Sequence, residues 1–157
     1  MIHAYDKSYL SNAQKNLAGM LDYLVNDLDN SLETAWKYFL TSEMAFRFEN
    51  GDCSVIAGKS GVEIAYAVLE EAGKKFPSVM SRYSYNRSQE YWTGWVLAYY
   101  QWDTGLAFSD IENAIPIQEI RMLYEPYHEM DIRQLTETLL RLAKVLCCEI
   151  EELMEKV

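Results

Sequence analysis

His128-Glu129-Met130-Asp131 is the densest group of potential metal ligands and proton carriers in the chain. An imidazole beside two carboxylates suits a small metal-dependent or acid–base reaction, with His128, Glu129 and Asp131 as its working groups. Helical metal sites take ligands at i, i+3 or i+4 and complete the set from elsewhere, and the only other histidine is His3. The competing reading makes Asp131 the N-cap of the final helix and leaves His128 and Glu129 in the preceding turn.

Other groupings are less complete. Gly58-Lys59-Ser60 has the end of a phosphate loop but not its beginning: the glycine required five residues before Gly58 is replaced by Cys53, and Gly51 comes two residues too early. Ser60-Gly61-Val62-Glu63 instead has the spacing of a capping box. Cys53 and the vicinal Cys147-Cys148 have no metal spacing and read as reduced thiols packed as small apolar groups, Cys147 toward the core. No nucleophile elbow or histidine-paired cysteine signature appears. No metal or cofactor is therefore expected.

Arg82, Tyr83, Tyr85 and Arg87 form a different kind of cluster. Aromatics interleaved with arginine stack on bases in single-strand binders and also dominate protein–protein hot spots. Charge separates the two uses. The chain carries a net charge of −10, and residues 74–87 hold four bases and no acid between two acidic flanks. Nucleic-acid affinity rests on neutralising phosphates, so an acidic chain is a poor binder on its own, and a protein-facing surface is the better reading. The same charge weighs against the superficial helix-turn-helix pattern at 106–123, whose second helix would bring Gln118, Glu119 and Arg121 to the groove.

The elements that must position these residues read as helices throughout. Leu10, Ala13, Leu17, Leu21, Leu24 and Leu28 recur at steps of three and four, with Ser8 or Ser11 as cap. A second helix from Leu32 to Asn50-Gly51 is expected to fold back on the first as an antiparallel hairpin. A third opens at Ser60 and ends at Gly73. Residues 77–88 lack any period and form a connection, with Ser88 capping the aromatic helix that follows. Tyr91 to Trp102 contains three of the four tryptophans and is apolar on almost every face, which marks a helix buried on all sides. Trp95→Ala is accordingly expected to cost about 3 to 5 kcal/mol. Ser109-Asp110-Ile111-Glu112 has capping-box spacing, Pro116 suits a first helical turn, and the chain closes on a stripe of Leu135, Leu139, Leu142, Leu146, Ile150 and Leu153. The expectation is an all-α single domain over 1–157, a bundle of about six helices around a central aromatic helix at 91–103. The stripe at 131–157 also offers a route to homo-oligomers. No apolar run is long enough for a membrane span and no leader pattern opens the chain, so a cytoplasmic location is expected.

Taken together, Ala4-Tyr5-Asp6-Lys7-Ser8-Tyr9-Leu10, the segment from Phe48-Glu49-Asn50-Gly51 to Gly61-Val62-Glu63, and Trp92 to Trp102 with Tyr127-His128-Glu129-Met130-Asp131 resemble a family of short, mostly uncharacterised bacterial helical proteins. The likeness spans nearly the whole chain. Members are often encoded beside small ADP-ribosyltransferase-like toxins, so the resemblance implies a toxin–antitoxin or phage-defence setting and supplies no catalytic residues. The functional expectation is a non-enzymatic interaction module, antitoxin- or immunity-like, that binds a toxin-like partner through its acidic surface and the connection at 78–91. The alternative is the small enzyme around His128, Glu129 and Asp131.

Overall fold

Leu10, Ala13, Leu17 and Leu21 share a face of helix α1 (Leu10–Asp22), and that face is fully withdrawn from solvent. The computed structural model describes residues 2–76, 79–81 and 87–155, with side chains as far as Cys147. Every regular element among them is helical. After α1 come α2 (Leu32–Leu40), α3 (Glu43–Glu49), α4 (Cys53–Ile56), α5 (Gly61–Glu71), α6 (Gln89–Thr104), α7 (Phe108–Ala114), α8 (Ile117–Met122), α9 (Tyr124–Tyr127) and α10 (Ile132–Glu155). Among the described residues no helix is long and apolar enough to cross a membrane.

In the expected hairpin α2 does touch α1 and the turn Tyr23–Asp27 that continues it, but the main contacts of α1 lie elsewhere. α1 packs most extensively against α6, next against α5, and only lightly against α2. Glycines explain the preference. A Cβ on Gly94 of α6 would lie 2.7 Å from Ala18 Cα and 2.8 Å from Leu17 O. One on Gly61, the first residue of α5, would lie 2.6 Å from Met20 N and 2.8 Å from Asn16 O. A Cβ on Gly19, on the α1 side of the same contact, would lie 3.7 Å from Gly61 Cα. The backbone of α1 is thus held between those of α5 and α6, with no side chain as spacer at either glycine. Bulky residues at these points would hold the axes at the 8 to 10 Å usual for helix pairs.

The centre of the bundle is therefore the α1–α6 pair, and α6 is not buried on all sides. Its buried residues include Thr93, Gly94, Val96, Leu97, Ala98, Tyr100 and Trp102, while Trp92, Trp95 and Tyr99 are only partly covered. The fully buried aromatic cluster lies elsewhere, in Trp36, Phe39, Phe48 and Phe108. Phe39 stacks on Trp36 at 5.1 Å and meets Phe108 edge-on at 5.3 Å and Phe48 at 6.2 Å.

Several helix ends are closed by partners remote in sequence. Ser60 and Ser88 cap α5 and α6 as their spacing predicts. α1 instead follows a 3-10 turn whose first amides are served by Asp6, and neither Ser8 nor Ser11 caps it. α7 begins one residue before the Ser109 box, and its Phe108 N–H donates to Glu49 Oε2 at 2.8 Å. Glu112 accepts from Ile117 N at 2.9 Å and from Trp36 Nε1 at 3.0 Å, tying α8 and α2 to α7, and burial raises its pKa. Cys53 and Cys147 are exposed free thiols rather than core residues, because Cys53 opens a one-turn helix at the surface and Cys147 lies where α10 has left its buried stretch.

Candidate functional site

At its carboxyl end α1 widens into a π turn, Tyr23–Asp27. Such turns insert an extra residue into the helical ladder, change which residues share a face, and recur at functional sites. Here the turn lies where the amino ends of α5 and α6 meet the connection before α6, and the polar residues at the junction are joined. Ser88 Oγ donates to Asp22 Oδ1 while accepting from Tyr91 N at 3.0 Å. Asn26 Nδ2 donates to the same Asp22 oxygen at 2.9 Å and approaches Glu90 Oε2 at 3.4 Å. Glu90, only 8% exposed, receives Arg121 Nε of α8 at 3.2 Å on its other oxygen. A buried carboxylate left without partners carries a large desolvation penalty, which the Arg121 ion pair and the Asn26 amide offset.

On the other side of α1, Tyr23 donates its hydroxyl proton to Val79 O and lies 3.0 Å from the Tyr66 hydroxyl. Burial, reinforced by Tyr66, pushes the Tyr23 phenol up to about 12, so it keeps its proton at neutral pH. This bond pins the described part of the connection to the π turn. The Arg87 guanidinium lies over the Tyr91 ring, 4.4 Å from its centre. Asp22, Tyr23, Ser60, Ser81, Arg87 and Tyr91 line a crevice of about 190 Å³. That is below the 300 to 1,000 Å³ typical of sites for drug-sized ligands. Its hydroxyls, one carboxylate and one guanidinium are suited to recognising a polar group or a side chain of a partner.

Ser88 joins two helices here through one side chain. Ser88→Ala should lower the unfolding free energy by about 1 to 2 kcal/mol, read from urea melts, since the cap on Tyr91 N and a donor to Asp22 disappear together. Ser88→Asn, which can still cap, should recover most of the loss.

Of the residues singled out by the Tyr/Arg pattern, Arg87 stands at the rim of this crevice, and Arg82, Tyr83 and Tyr85 lie outside the described residues. The second cluster is dispersed into local structure. His128 Nδ1 lies 2.8 Å from Tyr124 O, its ring stacks on Tyr124 at 4.5 Å, and its Nε2 is 3.8 Å from Glu129 Oε1. Asp131 Oδ1 accepts from Arg133 N at 2.9 Å and from Arg133 Nε at 3.2 Å, the geometry of a cap on α10, and these bonds lower its pKa. Among the described residues, no group of three or more His, Cys, Asp or Glu is placed to hold a metal ion. At 106–123, Gln118 donates to Glu33 and Arg121 to Glu90, so two of the three groove-reading candidates are engaged within the protein.

Asp22, Asn26 and Glu90 stand out only in the structure. Asp22 and Asn26 are four apart on an amphipathic helix, which is the one trace of them in the sequence; the π turn that follows Asp22 has no such signature. Comparison with protein-family models, curated proteins and solved structures finds no match to this chain.

Proposed function

We propose that the protein is a non-enzymatic interaction module, an antitoxin- or immunity-like partner of a toxin-like protein, working in the cytoplasm. The observation that carries this reading is the surface of the connection before α6. Met80 is 89% exposed there, one residue from the Val79 carbonyl that Tyr23 holds in place, and Arg87 stacked on Tyr91 stands at the crevice beside it. Methionine, arginine and tyrosine are enriched in the centres of protein interfaces. A large apolar side chain presented on an anchored backbone loses little conformational freedom when a partner covers it. The acidic remainder of the surface steers the complex toward a cationic cleft, and the basic segment 74–87 gives the contact a defined polarity.

The family resemblance supplies the kind of partner, a toxin encoded beside the gene. Co-expression with that neighbour should yield a complex that co-elutes in size-exclusion chromatography and relieves toxicity. Met80→Asp should weaken the complex about 30-fold or more while leaving the melting temperature unchanged. Absence of a complex, or undiminished binding by Met80→Asp, would overturn the proposal.

A further inference from the structure

The chain that leaves α5 opens on two cations. Gly73, in the left-handed conformation at φ 68°, turns the backbone out of the helix, and Lys74 N donates to Leu69 O at 3.0 Å, so the segment that carries Lys74 and Lys75 is fixed to the end of α5. Among the described residues neither lysine meets a carboxylate within ion-pair distance. Arg47, Arg121 and Arg133 each have one, whereas Lys74 Nζ lies over the Tyr38 ring, 5.9 Å from its centre.

Both lysines line a crevice of about 160 Å³, together with Tyr38 of α2, Phe76, and Leu28 and Asn30 from the turn that leads into α2. Buried Leu69 backs it, and no carboxylate lines it. Its walls are held from behind. Phe76 stacks on Tyr66 at 4.9 Å with the rings 13° apart, and Tyr66 is tied through its hydroxyl to Tyr23. Asn30 N and Nδ2 both donate to Leu24 O, at 3.1 and 2.9 Å, which fixes another part of the rim. The crevice shares no lining residue with the one beside Arg87.

The lining selects the ligand. Two ammonium groups on adjacent residues repel each other, and an anion between them turns repulsion into attraction. The leucines and the two rings offer apolar surface, and a volume below that of drug-sized sites limits the occupant to a side chain or a small acid. A bare anion would leave the apolar wall uncovered, and a neutral ring would leave the lysines unpaired. We propose that this crevice binds a carboxylate carried on a small apolar body, with Lys74 and Lys75 on the charge and Tyr38, Phe76 and Leu28 on the body. This site needs no toxin-like partner, and it stands or falls separately from the function proposed above.

The test is an amide NMR titration of the full chain with benzoate, benzyl alcohol and acetate, which carry charge and ring together, the ring alone and the charge alone. Benzoate should shift the amides of Tyr38, Gly73, Lys74 and Lys75 to saturation with a dissociation constant of about 1 to 10 mM, and the other two should each bind at least about fivefold more weakly. Lys74→Gln and Lys75→Gln together should weaken benzoate about tenfold without moving the melting temperature, since both side chains are exposed, and Lys74→Arg with Lys75→Arg should stay within about threefold of wild type. A blocked tripeptide with a central glutamate, added to the benzoate complex, gives the source: displacement makes the occupant an acidic side chain of a partner protein, and benzoate left in place makes it a free small acid. No saturable shift at these residues, benzyl alcohol binding as tightly as benzoate, or a double glutamine variant that binds like wild type overturns the proposal.

Discussion

Gly94→Ala should destabilise the fold by about 2 to 3 kcal/mol and lower the melting temperature by roughly 5 to 10 °C. Helix propensity alone argues the other way, since alanine inside a helix is favoured over glycine by about 1 kcal/mol. Sterics decide the sign. The added methyl would lie 2.7 Å from Ala18 Cα, 2.8 Å from Leu17 O and 2.9 Å from Ala18 N. All three are backbone atoms of α1 and cannot yield by changing a rotamer. Relief requires α1 and α6 to move apart along their most extensive contact, which loosens Leu17, Val96 and Leu97 together. Thermal melts of Gly94→Ala and Gly94→Ser beside wild type would settle it. A Gly94→Ala protein as stable as wild type would mean that the two backbones are not in contact.

Phe39→Ala should cost about 3 to 5 kcal/mol, enough to remove much of the stability of a typical domain. The ring is fully buried and meets three other aromatic rings, so truncation opens a cavity whose walls are the rigid faces of Trp36, Phe48 and Phe108. Rigid walls collapse poorly into a void, which places the cost toward the upper end of the range. Trp95→Ala provides the contrast. Trp95 is only partly covered, so its loss should cost about 1 to 2 kcal/mol, less than the full burial of an aromatic implies. Chemical denaturation of the two variants should place Phe39→Ala well below Trp95→Ala in midpoint, and the reverse order would mean that Trp95 supports the core more than the Trp36, Phe39, Phe48 and Phe108 cluster does.

That contrast shows how far the sequence carries. The all-α class was legible because the long helices other than α6 have their own periodic stripes and local punctuation marks their ends: Ser60 and Ser88 before α5 and α6, Gly105 in the left-handed conformation after Thr104. That α6 is central was legible, but the reason was not. Aromatic density drew attention to Trp92 and Trp95, yet what brings α6 against α1 is Gly94, the residue between two tryptophans with least to bury. Nothing in the spacing of Gly19, Gly61 and Gly94 says that they converge on one helix, because convergence is a property of three separate elements. Remote caps are hidden for the same reason: Glu49 serves the first amide of α7 from the end of α3.

The site was legible in part. Interleaved tyrosine and arginine pointed to the connection, and Arg87 stands at the crevice. The carboxylates behind it were not readable, since Asp22 is engaged by Ser88 and Glu90 by Arg121, each from a separate element. His128, Glu129 and Asp131 carried two readings, a working constellation and a helix cap with the turn before it. Adjacency in sequence gathered them into one constellation, whereas the helix start at Ile132 gives Asp131 to Arg133, and Tyr124 takes His128.

The contact between Gly94 and Ala18 also sets an order of events during synthesis. α1 is synthesised well before α6, and the helix that covers it is complete only at Thr104, roughly eighty residues later, which is about 4 to 16 s at ordinary elongation rates. Throughout that interval Leu17, Ala18 and Leu21 have no α6 to bury them. The newborn chain therefore presents a sticky amino-terminal helix for seconds at a time, and whatever shields it then, a chaperone or the chain's own α5 docking early through Gly61, governs how much of the protein reaches the folded state.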